Sequence, residues 1–365
     1  MERRRENWLN IKEIAKICGV GVSTVSRVIN NSGPVSAATR SKVMQAITEY
    51  HFVPNTSAQN LKTSQSRNIA LLVKGITSPF FNKIIRVIER QAALRGYPLF
   101  IQNVDEISNE LDIAIRESKS RNLSGVIILG GYYAYSEEKF RQLGIPCVLI
   151  TVEAGKDVDP SLYSSVRIDD EKEGFRATEY LIRLGHRRIG FLYNNPAEQT
   201  TPNALRYFGY RRALKEYRIP FDPGLVATFS TSGASGFNTG FQLTRQLCLK
   251  NRDMTAVFAF ADVLAIGAMK AVYSLGLKVP DNISIMGFDG IEMAEYYEPS
   301  LDTMYQPASE MALSGIDILF DMIKGRKAQH IVYNCVLLKR GSCRELTVKN
   351  SPGKPAAGKG PAVLS

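Results

Sequence analysis

From residue 68 onward, short apolar runs alternate with longer amphipathic ones, and this alternation constrains the fold more than any other feature of the chain. Strands are read at 68–73, 99–102, 125–129, 147–151, 188–193, 256–260 and 283–287. Between them, helices are read at 80–95, 173–184, 204–217 and 262–275. A strand–helix–strand order requires a parallel sheet with helices on both faces. The pattern runs twice, over about 68–166 and 167–296. The expected fold is therefore α/β, with two Rossmann-like lobes and a cleft between them. The N-lobe is expected to take about 67–166 with 300–330, and the C-lobe about 167–299 with 331–348. Residues 349–365 are rich in Pro, Gly, Ala and Lys and read as a disordered tail without leucine heptads.

The segment before residue 68 has a different texture. Residues 10–51 read as short helices, and 52–67 (FVPNTSAQNLKTSQSR) reads as a polar linker. Ile11, Ile14, Ala15 and Cys18 follow helical spacing, Gly19 suits a tight turn, and Val25, Val28 and Ile29 share a face. Ser36 is a good cap for a third helix that carries Val43, Ile47 and Tyr50 inward, and Pro54 closes the unit. The fold class is thus an all-α head over 9–54, a linker over 55–66, and a two-lobed α/β body over 67–348.

Charge separates the same regions. Of the net +11, residues 1–67 contribute a surplus of six, from ten Lys/Arg against four Asp/Glu. A basic head suits a polyanionic partner such as DNA. The five cysteines are odd in number and lack a CxxC pair, which fits reduced, buried thiols in a cytoplasm. The start MERRRENWLN has no apolar run after its arginines and is not a secretory leader. No apolar stretch approaches the ~18–20 residues of a membrane span.

A helix-turn-helix needs a small residue at the helix crossing, a turn glycine and an apolar anchor. Ala15, Gly19 and Val25 supply them at i, i+4 and i+10. The second helix then presents Val22, Ser23, Ser26 and Arg27. Arg27 can pair bidentately with guanine and Val22 can touch a thymine methyl, with Ser23 beside them at the base edges. Thr24, Ser26 and Asn30 suit phosphate contacts, which position without reading sequence.

The strings VSRVIN, VPNTSAQNL, SPFFNKIIRVIE, ATEYLIRLGHRRIGFL, RYFGYRRAL, GFDGIEMAEYYEPSLDT and KRGSCR lie along nearly the whole chain. Together they closely resemble the lactose/galactose/purine repressor (LacI-type) family of transcription regulators. The resemblance implies a periplasmic-binding-protein-like body that binds a small-molecule effector and carries the contact of a homodimer. It implies a near-palindromic double-stranded operator and control of DNA affinity by the effector. The effector class it implies is a sugar or sugar derivative, with a purine also open. It also implies a hinge helix in the minor groove, formed here by Asn55, Ala58 and the wedging Leu61. An apolar wedge unstacks a base step at a cost of a few kcal/mol, offset by contacts that the bend creates. One departure is Gly21, where the family usually has Ser at the start of the recognition helix.

Ligands of open α/β lobes bind beyond the carboxyl ends of the strands. Phe80 and Phe81 follow the first strand and are expected to stack on a sugar or base, one of them also serving the core. The resemblance assigns Arg206 in RxxGY to gripping the effector, Asp289 in GFD to accepting its hydrogen bonds, and Gln306 to a weaker contact. Asp169–Asp170 matches an Asp–Asn pair of the family, with Asp169 as the effector residue and an extra acid at 170. Ala261 stands where many relatives have Asn or Ser, which removes a hydrogen bond. Asp262 is expected to cap the helix that it begins.

A solute-binding protein of a transporter would share the two lobes, but not the head. GVGVST looks like a phosphate loop but follows a helix and lacks the third Gly. No catalytic constellation is read, His51, His186 and His330 form no metal cluster, and no cofactor is expected. His186 is read as structural.

Overall fold

A computed structural model describes residues 10–29, 32–50, 52, 67–105, 107–132, 135–194, 201–229 and 236–346. It divides at Ser66/Arg67 into two compact units.

The first unit contains α1 (Ile11–Cys18), α2 (Val22–Ile29) and α3 (Ala37–Glu49). Asn10 and Glu13 form a reciprocal capping box at the start of α1, and Gly19 ends that helix in the left-handed region. Ser36 caps α3 through Thr39 N, as its sequence predicts. Ile14, Ala15, Cys18, Val25, Val28, Val43 and Ala46 make the core. Tyr50 does not join it: the residue ends α3 and is exposed, while Ala46, one turn earlier, is buried.

The second unit holds two six-stranded sheets. The strands of the first are β1 (Asn68–Val73), β2 (Leu99–Asn103), β3 (Leu123–Leu129), β4 (Cys147–Ile150), β5 (Ser164–Ile168) and β11 (His330–Tyr333). Their order is β11-β5-β4-β3-β1-β2, and every pairing is parallel. The second sheet contains β6 (Ile189–Asn194), β7 (Val226–Phe229), β8 (Ala256–Ala259), β9 (Ser284–Asp289), β10 (Asp302–Tyr305) and β12 (Val336–Leu338). Its order is β12-β10-β9-β8-β6-β7, parallel except for the β10–β12 edge pair.

Crossover helices cover the sheets: α4 (Pro79–Leu94), α5 (Glu110–Arg121) and α6 (Glu137–Leu143) with the first, and α7 (Asp170–Arg183), α8 (Pro202–Glu216), α9 (Phe237–Lys250) and α10 (Asp262–Ser274) with the second. The last helix, α11 (Ala308–Ile323), returns to the first sheet and packs on β3, β4, β5 and α4. Central strands β4, β8 and β9 are buried along their full length, as sheets covered on both faces require.

The expected lobe boundaries shift in the last quarter of the chain. Asp302–Tyr305 belongs to the second sheet, not the first, and His330–Tyr333 belongs wholly to the first. The reason lies in buried hydrogen bonds rather than in periodicity. Asp302 N donates to Ser342 Oγ at 2.7 Å and Ser342 N donates to Asp302 Oδ1 at 2.9 Å, tying β10 to the closing segment of the second lobe.

Helix contacts in the second lobe depend on missing side chains. A Cβ at Gly209 would overlap the carbonyl of Glu171, and one at Gly174 would sit 2.5 Å from the carbonyl of Arg206. The backbones of α7 and α8 therefore nearly touch, which brings Arg206 against Asp170.

Candidate functional site

In the first unit, Ala15, Gly19 and Val25 hold the positions that the spacing predicts. Ala15 and Val25 are buried, and Gly19 takes φ 65°. The carbonyl of Gly21 accepts Thr24 N at 2.9 Å and Val25 N at 3.2 Å, so α2 starts without a side-chain cap. With Val25 and Val28 turned inward, Val22, Ser23 and Arg27 are exposed, and Thr24 and Ser26 are half-buried beside them. The helix thus presents polar and cationic groups on one face from a locked apolar back. Asn30, Pro54, Asn55, Ala58, Leu61 and the tail 349–365 lie outside the described residues.

In the second unit, a cavity of about 470 Å³ opens where strands of both sheets end. Lys74 follows β1, Gly130 and Gly131 follow β3, Thr151 follows β4, Phe260 and Ala261 follow β8, Asp289 ends β9, and Gln306 follows β10. Phe80 and Phe81 also line it, their ring centroids 5.7 Å apart. Phe80 is buried in the core, whereas Phe81 is half-buried.

Arg206 is fixed from several sides. Its Nε donates to Asp170 Oδ1 at 2.8 Å and its Nη1 to the carbonyl of Phe260 at 2.7 Å. Asp289 Oδ1 lies 3.6 Å from Nη1, and the guanidinium sits 3.8 Å over the Phe288 ring. Burial alone would lower this guanidinium, but the carboxylates of Asp170 and Asp289 outweigh it and hold it above its ordinary value. Asp289 is buried, with φ 116°, a conformation rare for any residue with a side chain. Burial pushes its carboxyl up, while Arg206 and the Nε2 of Gln306, 2.7 Å away, pull it back.

Asp169 is corrected. It caps α7 by accepting Lys172 N at 3.0 Å and is not part of the cavity wall. The extra acid, Asp170, pairs with Arg206, so its charge is already compensated. Asp262 is corrected too. Ala261 holds the cap position, and Asp262 is buried one residue later. Its carboxylate accepts Ile291 N at 2.8 Å and Thr303 Oγ1 at 2.6 Å, stapling the end of β9 to β10. His186 is structural as read: its ring bonds Thr255 Oγ1 and the Arg344 carbonyl, and burial lowers it to about 4.

Lys74 and Thr151 are among the lining residues that escaped the sequence reading. Thr151 is buried at φ 74° with an Oγ1 that has no partner among the described residues. Lys74 is buried, 2.9 Å from Glu110 and 2.8 Å from the carbonyl of Ser108, with its ammonium 4.2 Å from the Tyr132 ring centre. The rule that ligands meet strand carboxyl ends would have found both, since each directly follows a strand.

An exposed helix-turn-helix face ahead of a two-lobed body with a polar, aromatic-lined cavity defines a ligand-responsive DNA-binding protein. The sequence model for bacterial regulatory proteins of the lacI family matches residues 10–55, and that for a periplasmic binding protein-like domain matches 178–343. The HTH-type transcriptional regulator MalR of Clostridium butyricum is 37% identical over 338 residues, covering 92% of this chain and 99% of MalR. The HTH-type transcriptional repressor CytR of Escherichia coli is 32% identical over 349 residues, covering 94% of this chain and 99% of CytR. Among solved structures, the Lac repressor dimer bound to operator and the anti-inducer ONPF aligns with TM-score 0.72 at 25% identity, over 92% of this chain and 99% of that one. The transcriptional regulator CelR–cellobiose complex aligns with TM-score 0.66 at 28% identity, over 92% and 99%. The chain belongs to the LacI family. It is a DNA-binding transcriptional regulator, and the reading as a transporter's solute-binding protein gives way to that one. Among the described residues, no helix is long and apolar enough to cross a membrane.

Proposed function

We propose that the protein is a cytoplasmic repressor that binds a near-palindromic operator as a homodimer and is controlled by a sugar in the interlobe cavity. It is not an enzyme in this reading. Val22, Ser23 and Arg27 read base edges in the major groove; Thr24, Ser26 and Asn30 hold phosphates; Asn55, Ala58 and Leu61 form the minor-groove hinge. Phe80, Phe81, Arg206, Asp289 and Gln306 hold the effector.

The observation that carries the effector class is the charge balance of the cavity. Its cations, Lys74 and Arg206, each face a carboxylate, from Glu110 and from Asp170 and Asp289. Among the described residues, no lining cation of this cavity is left over for a phosphate. The unpartnered oxygens of Thr151 and Gln306 and the rings of Phe80 and Phe81 suit a neutral, hydroxyl-rich ligand. Similar proteins point the same way: a ribose operon repressor and a regulator in complex with cellobiose.

Effector binding changes the relative population of two lobe arrangements, and operator affinity follows by linkage. A screen of neutral sugars, sugar phosphates and purines by thermal shift tests the assignment. Neutral sugars should raise the melting temperature of the full chain. Stabilisation by purines alone, or by sugar phosphates alone, would reject it.

A further inference from the structure

The cavity continues past Gln306. A second chamber of about 850 Å³ shares Pro79, Phe80, Asp289, Ile291 and Gln306 with the first. Its own lining adds Tyr305, Tyr296, Met293 and Lys83. Each chamber falls within the ~300–1,000 Å³ of small-molecule sites, so together they offer more room than a single pyranose ring fills.

Three features make the second chamber a site rather than a surface dent. Gln306, only 2% exposed, spends its Nε2 on Asp289 Oδ1 and leaves Oε1 without a partner among the described residues, in the lining that both chambers share. A buried amide oxygen left unmade costs roughly 1–3 kcal/mol, which a ligand hydroxyl would recover. The half-buried Tyr305 offers a ring backed by Gly290, with Lys83 Nζ 3.5 Å from its hydroxyl. Met293 and Tyr296 expose apolar surface in the same lining, Tyr296 at 79%. Lys83, Arg86 and Glu292 bring charge to this chamber, whose Asp289 already engages Arg206.

We propose that the effector is an unbranched neutral oligosaccharide, with one ring in the interlobe cavity and the next lying against Tyr305 in the second chamber. Gln306 Oε1 accepts a hydroxyl at the crossing between them. This rests on the sugar reading above.

Calorimetry on the full chain with glucose, its α- and β-1,4-linked disaccharides and the corresponding trisaccharides tests it. Affinity should rise about tenfold from the monosaccharide to the preferred oligosaccharide, the size of one aromatic contact. Tyr305→Ala should remove that gain. Tyr305 sits in β10, so Lys83→Ala, on the exposed face of α4, serves as an independent variant and should remove part of the same gain. A monosaccharide that binds as tightly as its oligomers overturns the extended site, as does retention of the full gain in both variants. If no saccharide of any length binds, the sugar reading falls and the extension with it.

Discussion

The recognition helix and the interlobe cavity solve opposite problems. On α2, the groups proposed to read bases are exposed and ride on a small buried back formed by Val25 and Val28. In the cavity, Arg206 and Asp289 are buried, and each is held by partners before any ligand arrives. An exposed face leaves its charge ready for a large polyanion, and salt screens it. A buried, paired set presents geometry rather than net charge, and removing one member leaves another stranded. The contrast predicts where each kind of substitution hurts.

The largest effect belongs to Arg206→Ala. It removes the cation that Asp170 and Asp289 share in the interior, and the body should lose about 3–5 kcal/mol in denaturant unfolding. A loss under about 1 kcal/mol would show that the cavity charges are solvated like those of the head. Next comes Arg27→Ala. It should cost about 1–3 kcal/mol at one operator position and leave body stability unchanged, read by binding to operators varied one base pair at a time. A uniform loss across all sequences would make Arg27 a phosphate contact instead. Asp169→Ala follows at about 1 kcal/mol of stability, the usual worth of a helix cap, with effector affinity unmoved. A loss of affinity without a loss of stability would restore Asp169 to the cavity.

The smallest effect is a pH slope. Burial holds the Asp289 carboxyl above the ordinary carboxylate range. Ligand hydroxyls donate to its ionised form, so binding favours loss of the proton. Effector affinity should therefore fall as pH drops through the raised value of about 7, and Asp289→Asn should flatten the slope.

The same contrast explains what the sequence made legible. The head follows from local signals: Ala15, Gly19 and Val25 lie within eleven residues, and the cap Ser36 is read directly. The first strand, Asn68–Val73, has the bounds that its apolar run predicts, and α4 is displaced by only one residue at each end. The strands β5, β7, β10, β11 and β12 escaped, because they are short or polar and find partners only through distant pairing. Asp169 and Asp170 show the limit in miniature. A helix turns by ~100° per residue, so neighbouring carboxylates face different surroundings, and only the packing of Gly174 and Gly209 decides which one meets Arg206. Tyr50 shows it in the head, where helical spacing pointed inward but the helix ended first.

The central claim is that a ligand in the cavity sets the affinity of the head for DNA. The direct test is operator binding by fluorescence anisotropy at fixed salt, with and without the sugar found by the screen, for the wild-type chain and Asp289→Asn. The account predicts a shift of about 5–150-fold in the wild type, the range of ordinary coupling energies. Asp289→Asn should bind the free operator normally and lose most of that shift. An equal shift in both proteins, or none in the wild type with a sugar that calorimetry shows to be bound, would contradict it.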